Sequence, residues 1–186
     1  MKQQILAIDD EPDLLRLIQR IINEKTQYSI TLTNNSLEVP KLLEENEYDV
    51  IITDLKMPGI DGIDILKYIK SNNRPEQVII ITAFGTLESA IESMTLGVFD
   101  YITKPFKKEQ IIFAIDRAMK YQANLKEIKR IAKIFNIEPY NLAEPEFKKE
   151  YLLRKMKTYS NDINLIASKT NIPNNEIVSI IDNKND

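Results

Sequence analysis

The sequence predicts an α/β fold with a doubly wound, five-stranded parallel sheet, and three observations lead there. Short apolar runs rich in β-branched residues alternate five times with segments of helical spacing across residues 1–120. Most of these runs are apolar throughout, as strands covered on both faces by helices must be. The connections between them are short and carry Pro, Gly, Asp or Asn, the residues that break a regular backbone.

Taken in order, Ile5–Ile8 is the first apolar run, closed by Asp9-Asp10-Glu11-Pro12, where Pro suits the opening of a helix. Leu14, Leu15, Leu17, Ile18, Ile21 and Ile22 follow at helical spacing. Tyr28–Thr33 alternates as a strand, and Leu37 to Leu43 reads as helical despite Pro40. Val50–Thr53 is the third strand, delivering Asp54 to a Met57-Pro58-Gly59 turn, with a helix from about Gly62 to Lys70. The strand Val78–Thr82 precedes a helix over Leu87–Leu96 that Gly97 stops. Phe99–Thr103 is the fifth strand, and after Lys104-Pro105 a long helix begins near Lys107.

Composition narrows the chemistry. At 186 residues, with 43% apolar and 28% charged residues, the chain suits a soluble globular domain of ordinary size plus a small appendage. There is no Cys for a disulfide or thiolate and no His for the usual zinc sites or the commonest general base. Carboxylates, Lys, hydroxyls and a hard metal remain. Four apolar residues before Asp9 are too few for a signal peptide, and no run of apolar residues is long enough to span a membrane, so a cytoplasmic location is expected. The net charge of −3 is uneven: residues 1–120 carry 14 basic and 19 acidic groups, residues 121–186 carry 11 and 9. A phosphate-tolerant C-terminal part and a solvated mixed-charge helical surface both fit that asymmetry.

Parallel strands place their carboxyl ends on one edge, which is where open α/β sheets bind ligands. Asp54 alone could be a turn former hydrogen-bonded to its own backbone. Its company argues for more: Asp9 and Asp10 end the first strand, Thr82 ends the fourth, and Lys104 follows the fifth. Crowded carboxylates repel, and either raised pKa values or a hard dication relieves them; all-oxygen ligands make Mg²⁺ the natural choice. Beside such a cation and Lys104, Asp54 could attack phosphorus and carry an acyl phosphate, with the Thr82 hydroxyl meeting one phosphoryl oxygen.

With these residues in place, the stretch from Ile5 to about Tyr121 resembles the receiver domain of bacterial two-component response regulators. The acidic pair Asp9-Asp10, Asp54, the Met57-Pro58-Gly59 turn, Thr82 and Lys104-Pro105 stand in the family's order and spacing. The resemblance implies a flavodoxin-like sheet of order 2-1-3-4-5, with a phosphoryl group accepted on Asp54 from a histidine kinase or a phosphotransfer protein. It implies direct Mg²⁺ binding by Asp10, Asp54 and the backbone carbonyl of Lys56, Asp9 acting through water, Lys104 at the phosphoryl group, and a cis Lys104–Pro105 bond. Thr82 and Tyr101 correspond to the pair that couples phosphorylation to the surface of the fourth helix, fifth strand and fifth helix. Such proteins hydrolyse their acyl phosphate slowly and act as switches rather than turnover enzymes. A Mg²⁺-dependent aspartyl phosphatase is the rival, but it needs a second carboxylate two residues after the nucleophile, where this chain has Lys56. Lys56 is expected to influence the lifetime of the phosphorylated form, against the alternative of an exposed loop lysine.

Past Tyr121 the helical pattern continues. Ala114, Ala118, Tyr121, Leu125, Ile128, Ala132 and Phe135 alternate spacings of four and three, a heptad seam that suits either a homodimer or packing within the chain. The expected organisation is a receiver over 1–121, a helical extension over 122–136, and a small helical region over 137–186. Within that region, 136–145 reads as a break, followed by a basic helix from Phe147 to Met156 and two short helices, Ile163–Thr170 and Asn174–Ile181. Ala167, Asn171, Ile172, Ile177 and Ile180 resemble the small, turn and core positions of a helix-turn-helix, with Asn171 able to take the left-handed turn. DNA is one expected partner. Yet the second helix of the pair has no Lys or Arg for phosphates, so a protein-binding role stands beside it.

Overall fold

A computed structural model describes residues 3–136 and 140–182. The first unit, spanning 1–124, opens with β1 (Gln4–Ile8), α1 (Pro12–Lys25) and β2 (Ser29–Thr33). A 3₁₀ turn, Ser36–Glu38, leads into α2 (Val39–Glu45), so the expected helix from Leu37 starts in the tighter form. Then come β3 (Val50–Thr53), α3 (Gly62–Ser71), β4 (Gln77–Thr82), α4 (Leu87–Thr95), β5 (Asp100–Thr103) and the long helix α5 (Lys108–Phe135). The sheet is parallel in the order β2-β1-β3-β4-β5.

Side-chain alternation along the strands divides the core into two layers. Ile5, Ala7, Val50, Ile52, Ile79 and Ile81 face α1 and α5, meeting Leu15, Ile18, Ile22, Ile111, Ile115 and Met119. Leu6, Ile8, Ile51, Val78 and Ile80 face the other way onto Val39 and Leu43 of α2 and Ile63, Leu66 and Ile69 of α3. Near-complete burial of these branched side chains, at roughly 1.5–3 kcal/mol each, is the main force holding the strands in register.

The second unit covers 125–186 and contains the C-terminal part of α5, α6 (Tyr140–Thr158), α7 (Ile163–Thr170) and α8 (Asn174–Asp182). Of the break expected over 136–145, residues 137–139 lie outside the described residues, and α6 already runs from Tyr140. Pro145 sits inside α6 and withholds one backbone hydrogen bond, which does not stop the helix. Leu152 on α6, Ile166 on α7 and Ile177 on α8 form a small core, flanked by Met156, Ile163, Ile172 and Ile180. Asn171 ends α7 with φ +57°, the left-handed conformation its position between the two helices predicted. Glu150, buried on α6, is held between Arg130 of α5 at 2.7 Å and Arg154 at 3.0 Å, and Glu127 accepts from Arg154 at 2.9 Å. No described helix is long and apolar enough to cross a membrane.

Candidate functional site

Register brings the site together. Ile8 pairs with both Thr33 and Thr53, so Asp9 and Asp54, each one residue on, leave adjacent strands side by side. The Asp54 N–H still donates to the Ile8 carbonyl at 3.0 Å, and the Asp9 N–H to the Thr33 carbonyl at 3.3 Å. Thr82 pairs with Thr103, and the Lys104 N–H donates to the Thr82 carbonyl at 2.8 Å. The Lys104–Pro105 peptide is cis.

From this position the Lys104 ammonium reaches across the sheet edge. It donates to Asp9 Oδ2 at 3.0 Å and stands 3.5 Å from Asp54 Oδ2 and 3.4 Å from Glu11 Oε1. Asp9 and Asp54 are almost fully buried, at 2% and 4% exposure. Burial pushes the Asp9 carboxyl above its ordinary value, against the lowering effect of the Glu11 N–H and Lys104. Burial also works against the Lys104 charge, but the hydrogen bond to Asp9 and the surrounding carboxylates outweigh it and hold its pKa above the usual lysine value.

Asp9, Glu11 and Asp54 bring carboxylate oxygens within 4.8 Å of one another, the acid cluster found among the described residues. Asp10 is exposed and stands outside that cluster. The cause is local: the Glu11 N–H donates to Asp9 Oδ1 at 2.8 Å, so the backbone turns immediately after the strand and carries Glu11, not Asp10, back over the edge. Sequence reasoning did not single out Glu11. An all-carboxylate donor set fits a hard dication such as Mg²⁺.

The remaining expected residues divide. Thr82 is fully buried, its Oγ1 accepting from the Phe84 N–H at 3.1 Å. Tyr101 is half-buried, its hydroxyl 3.1 Å from Ser89 Oγ on α4. The Lys56 side chain is exposed. The backbone after Asp54 is held by Gly62, whose N–H donates to the Leu55 carbonyl at 3.1 Å. A Cβ at Gly62 would lie 2.3 Å from the Asp54 carbonyl oxygen, so only glycine allows this close return of the loop.

Comparison with known proteins agrees with this geometry. The chain is 32% identical over 124 residues to sporulation initiation phosphotransferase F of Bacillus subtilis, covering 67% of this chain and 99% of that protein. It is 31% identical over 128 residues to the regulatory protein AtoC of Escherichia coli, covering 69% of this chain. It spans about a quarter of AtoC and of the response regulator PilR of Pseudomonas aeruginosa, 28% and 23% of their lengths. A receiver domain of known structure from Clostridium thermocellum is 35% identical with a TM-score of 0.62, covering 66% of this chain and 98% of that one. The family model described as the response regulator receiver domain matches residues 5–116. The parallel sheet, the acids and lysine converging at its carboxyl edge, and this match over more than half the chain place the protein in the response regulator receiver family.

Proposed function

We propose that the protein accepts a phosphoryl group on Asp54 from a histidine kinase or phosphotransfer protein. The observation that carries this reading is the Lys104 ammonium, 3.5 Å from the Asp54 carboxylate and hydrogen-bonded to Asp9. An Asp54 oxygen forms the new bond to phosphorus while the P–N bond of a phosphohistidine breaks, its electron pair leaving with the imidazole nitrogen. Lys104 meets the charge on the phosphoryl oxygens, and the Thr82 hydroxyl turns from the Phe84 N–H toward them. Asp9, Glu11 and Asp54 would hold Mg²⁺, with Asp10 and the Lys56 carbonyl as the further ligands that family resemblance suggests; the ion would neutralise phosphoryl charge. Similarity over almost the whole length of a protein named a phosphotransferase supports a part in phosphoryl transfer.

Incubation with acetyl phosphate and Mg²⁺, followed by intact-mass measurement, tests this. One phosphoryl adduct on wild type and none on Asp54→Asn is expected; an adduct that persists in Asp54→Asn overturns the assignment. Lys56→Asn is expected to change the decay rate of that adduct.

The output reading is that phosphorylation reorganises the Thr82–Tyr101 region and thereby acts on the C-terminal helices. Exposed Ile128 and Phe135 on α5, at 60% and 73%, support a homodimer through that helix. The left-handed Asn171 between α7 and α8 supports a helix-turn-helix that contacts DNA. The absence of Lys and Arg from α8 favours the other reading, a protein-binding output. Size-exclusion mass with and without beryllofluoride, followed by a DNA titration at two salt concentrations, separates them: salt-dependent binding supports DNA contact, and its absence leaves the protein-binding output.

A further inference from the structure

The loop that carries Lys56 is fixed at a second point, away from Gly62. Ser36, 3% exposed, points its hydroxyl into the turn after β3. Its Oγ donates to the Pro58 carbonyl at 2.7 Å and accepts from the Ile60 N–H at 2.9 Å, so one side chain satisfies backbone groups on both sides of Gly59. Gly59 has φ +90°, and a Cβ there would lie 3.0 Å from Leu37 Cδ2 and 3.1 Å from Ser36 Oγ. The turn is thus seated against the Ser36-Leu37 step itself.

Ser36 is in turn anchored to the edge of the sheet. The Asn35 side chain accepts from the Leu37 N–H at 3.2 Å, and Thr33 Oγ1 accepts from the Asn35 N–H at 3.1 Å. Thr33 also accepts the Asp9 N–H through its carbonyl. Hydrogen bonds joined through the short 33–37 segment therefore link the backbone of Asp9 to the turn following Asp54.

We propose that Ser36 is a positioning residue for the acceptor site: its two hydrogen bonds to Pro58 and Ile60 set the path of the Leu55–Gly62 loop and hence the metal-binding geometry at Asp54. This inference rests on the reading of Asp54 and its neighbours as a Mg²⁺ and phosphoryl site. Ser36 touches neither the metal nor the phosphoryl group. Its partners Pro58 and Ile60 are not ligands themselves, so it acts one step beyond the groups that bond a ligand directly. Loss of those direct partners elsewhere weakens metal binding by about 10–100-fold, and the low end of that range applies here.

The full chain is compared as wild type, Ser36→Ala and Ser36→Thr, with Mg²⁺ alone as the calorimetric titrant and amide hydrogen exchange read in the metal-free protein. Ser36→Ala is expected to bind Mg²⁺ about tenfold more weakly and to lose protection at the Ile60 amide, while the β1 and β3 amides stay protected. Ser36→Thr, which keeps the oxygen, is expected to restore both. Unchanged Mg²⁺ affinity in Ser36→Ala overturns the proposal. So does weakened affinity with equal loss of protection across β1 and β3, which would mark Ser36 as a residue of general stability. Wild type that binds no Mg²⁺ overturns the site reading and this inference together, whereas normal binding by wild type and Ser36→Ala alike removes the inference alone.

Discussion

The Tyr101 hydroxyl and Ser89 Oγ lie 3.1 Å apart, tying β5 to the first turn of α4. Ser89 is at the same time half of a reciprocal helix cap: the Thr86 N–H donates to Ser89 Oγ at 3.0 Å, and the Ser89 N–H to Thr86 Oγ1 at 3.2 Å. Rotation of Tyr101 therefore removes a hydrogen bond from Ser89, the third residue of α4 and a partner in its cap. Ser89→Ala should lose the cross-link and the Thr86 N–H half of the cap, while its own N–H still donates to Thr86 Oγ1; Tyr101→Phe should lose only the cross-link. Amide exchange in the first turn of α4 should rise more in Ser89→Ala than in Tyr101→Phe; equal rates would show that the cap does not depend on Ser89.

The three carboxylates at the sheet edge should make Mg²⁺ a stabilising ligand. At a Mg²⁺ concentration 100-fold above its dissociation constant, wild type should gain about 2.7 kcal/mol. Asp54→Asn removes one charged donor from a cluster within 4.8 Å and should gain much less at the same concentration. Urea unfolding with Mg²⁺ and with chelator checks this.

Tyr28, immediately before β2, and Asp116 on α5 are joined by a hydrogen bond of 2.9 Å in which the tyrosine donates. Burial, followed by the hydrogen bond and charge of Asp116, pushes the Tyr28 phenol up to about 12. Because this lies above the unfolded value of about 10, the contribution to stability is complete below pH 10 and disappears as pH rises through 12. The difference in urea midpoint between wild type and Tyr28→Phe should therefore shrink across that window and be constant below it.

Gln122 on α5 is fully buried and donates its side-chain N–H groups to the carbonyls of Pro75 and, at 3.2 Å, Asp49. These carbonyls lie at the entries to β4 and β3. Both carbonyls also accept from Gln77, Pro75 from its side chain at 2.9 Å and Asp49 from its N–H at 3.1 Å, and Gln122 Oε1 is buried without a partner. Gln122→Leu keeps the bulk and removes one donor from each carbonyl without leaving either unpaired, and should cost no more than about 1 kcal/mol in chemical denaturation.

In the second unit, Asn171 at φ +57° should tolerate glycine and resist alanine. Asn171→Ala is expected to lose about 1 kcal/mol and Asn171→Gly almost nothing, read as protease susceptibility of the α7–α8 segment in the full chain.

Sequence alone determined a large part of this protein. The period of the apolar residues identified all five strands, their alternation with helices made them parallel, and the family resemblance implied the order 2-1-3-4-5. That order is enough to bring Asp9, Asp54, Thr82 and Lys104 to one edge, because each is the last residue of its strand or close to it. Asn171 was legible for the same reason: its chemistry suits one local conformation, and its place between two helical patterns demanded it. Tertiary structure decided what depends on contacts far apart in the chain or on the exact direction of a turn. Glu11 rather than Asp10 joins the acid cluster because the backbone bends as soon as β1 ends. Ser36, 22 and 24 residues from its partners, looks like any polar turn residue until β2 and β3 place it against the acceptor loop. Gln122 and the Tyr28–Asp116 pair carry no local signal at all. Local periodicity records which face of an element is buried, but a hydrogen-bond partner is chosen only when the packed elements bring one donor and one acceptor within reach.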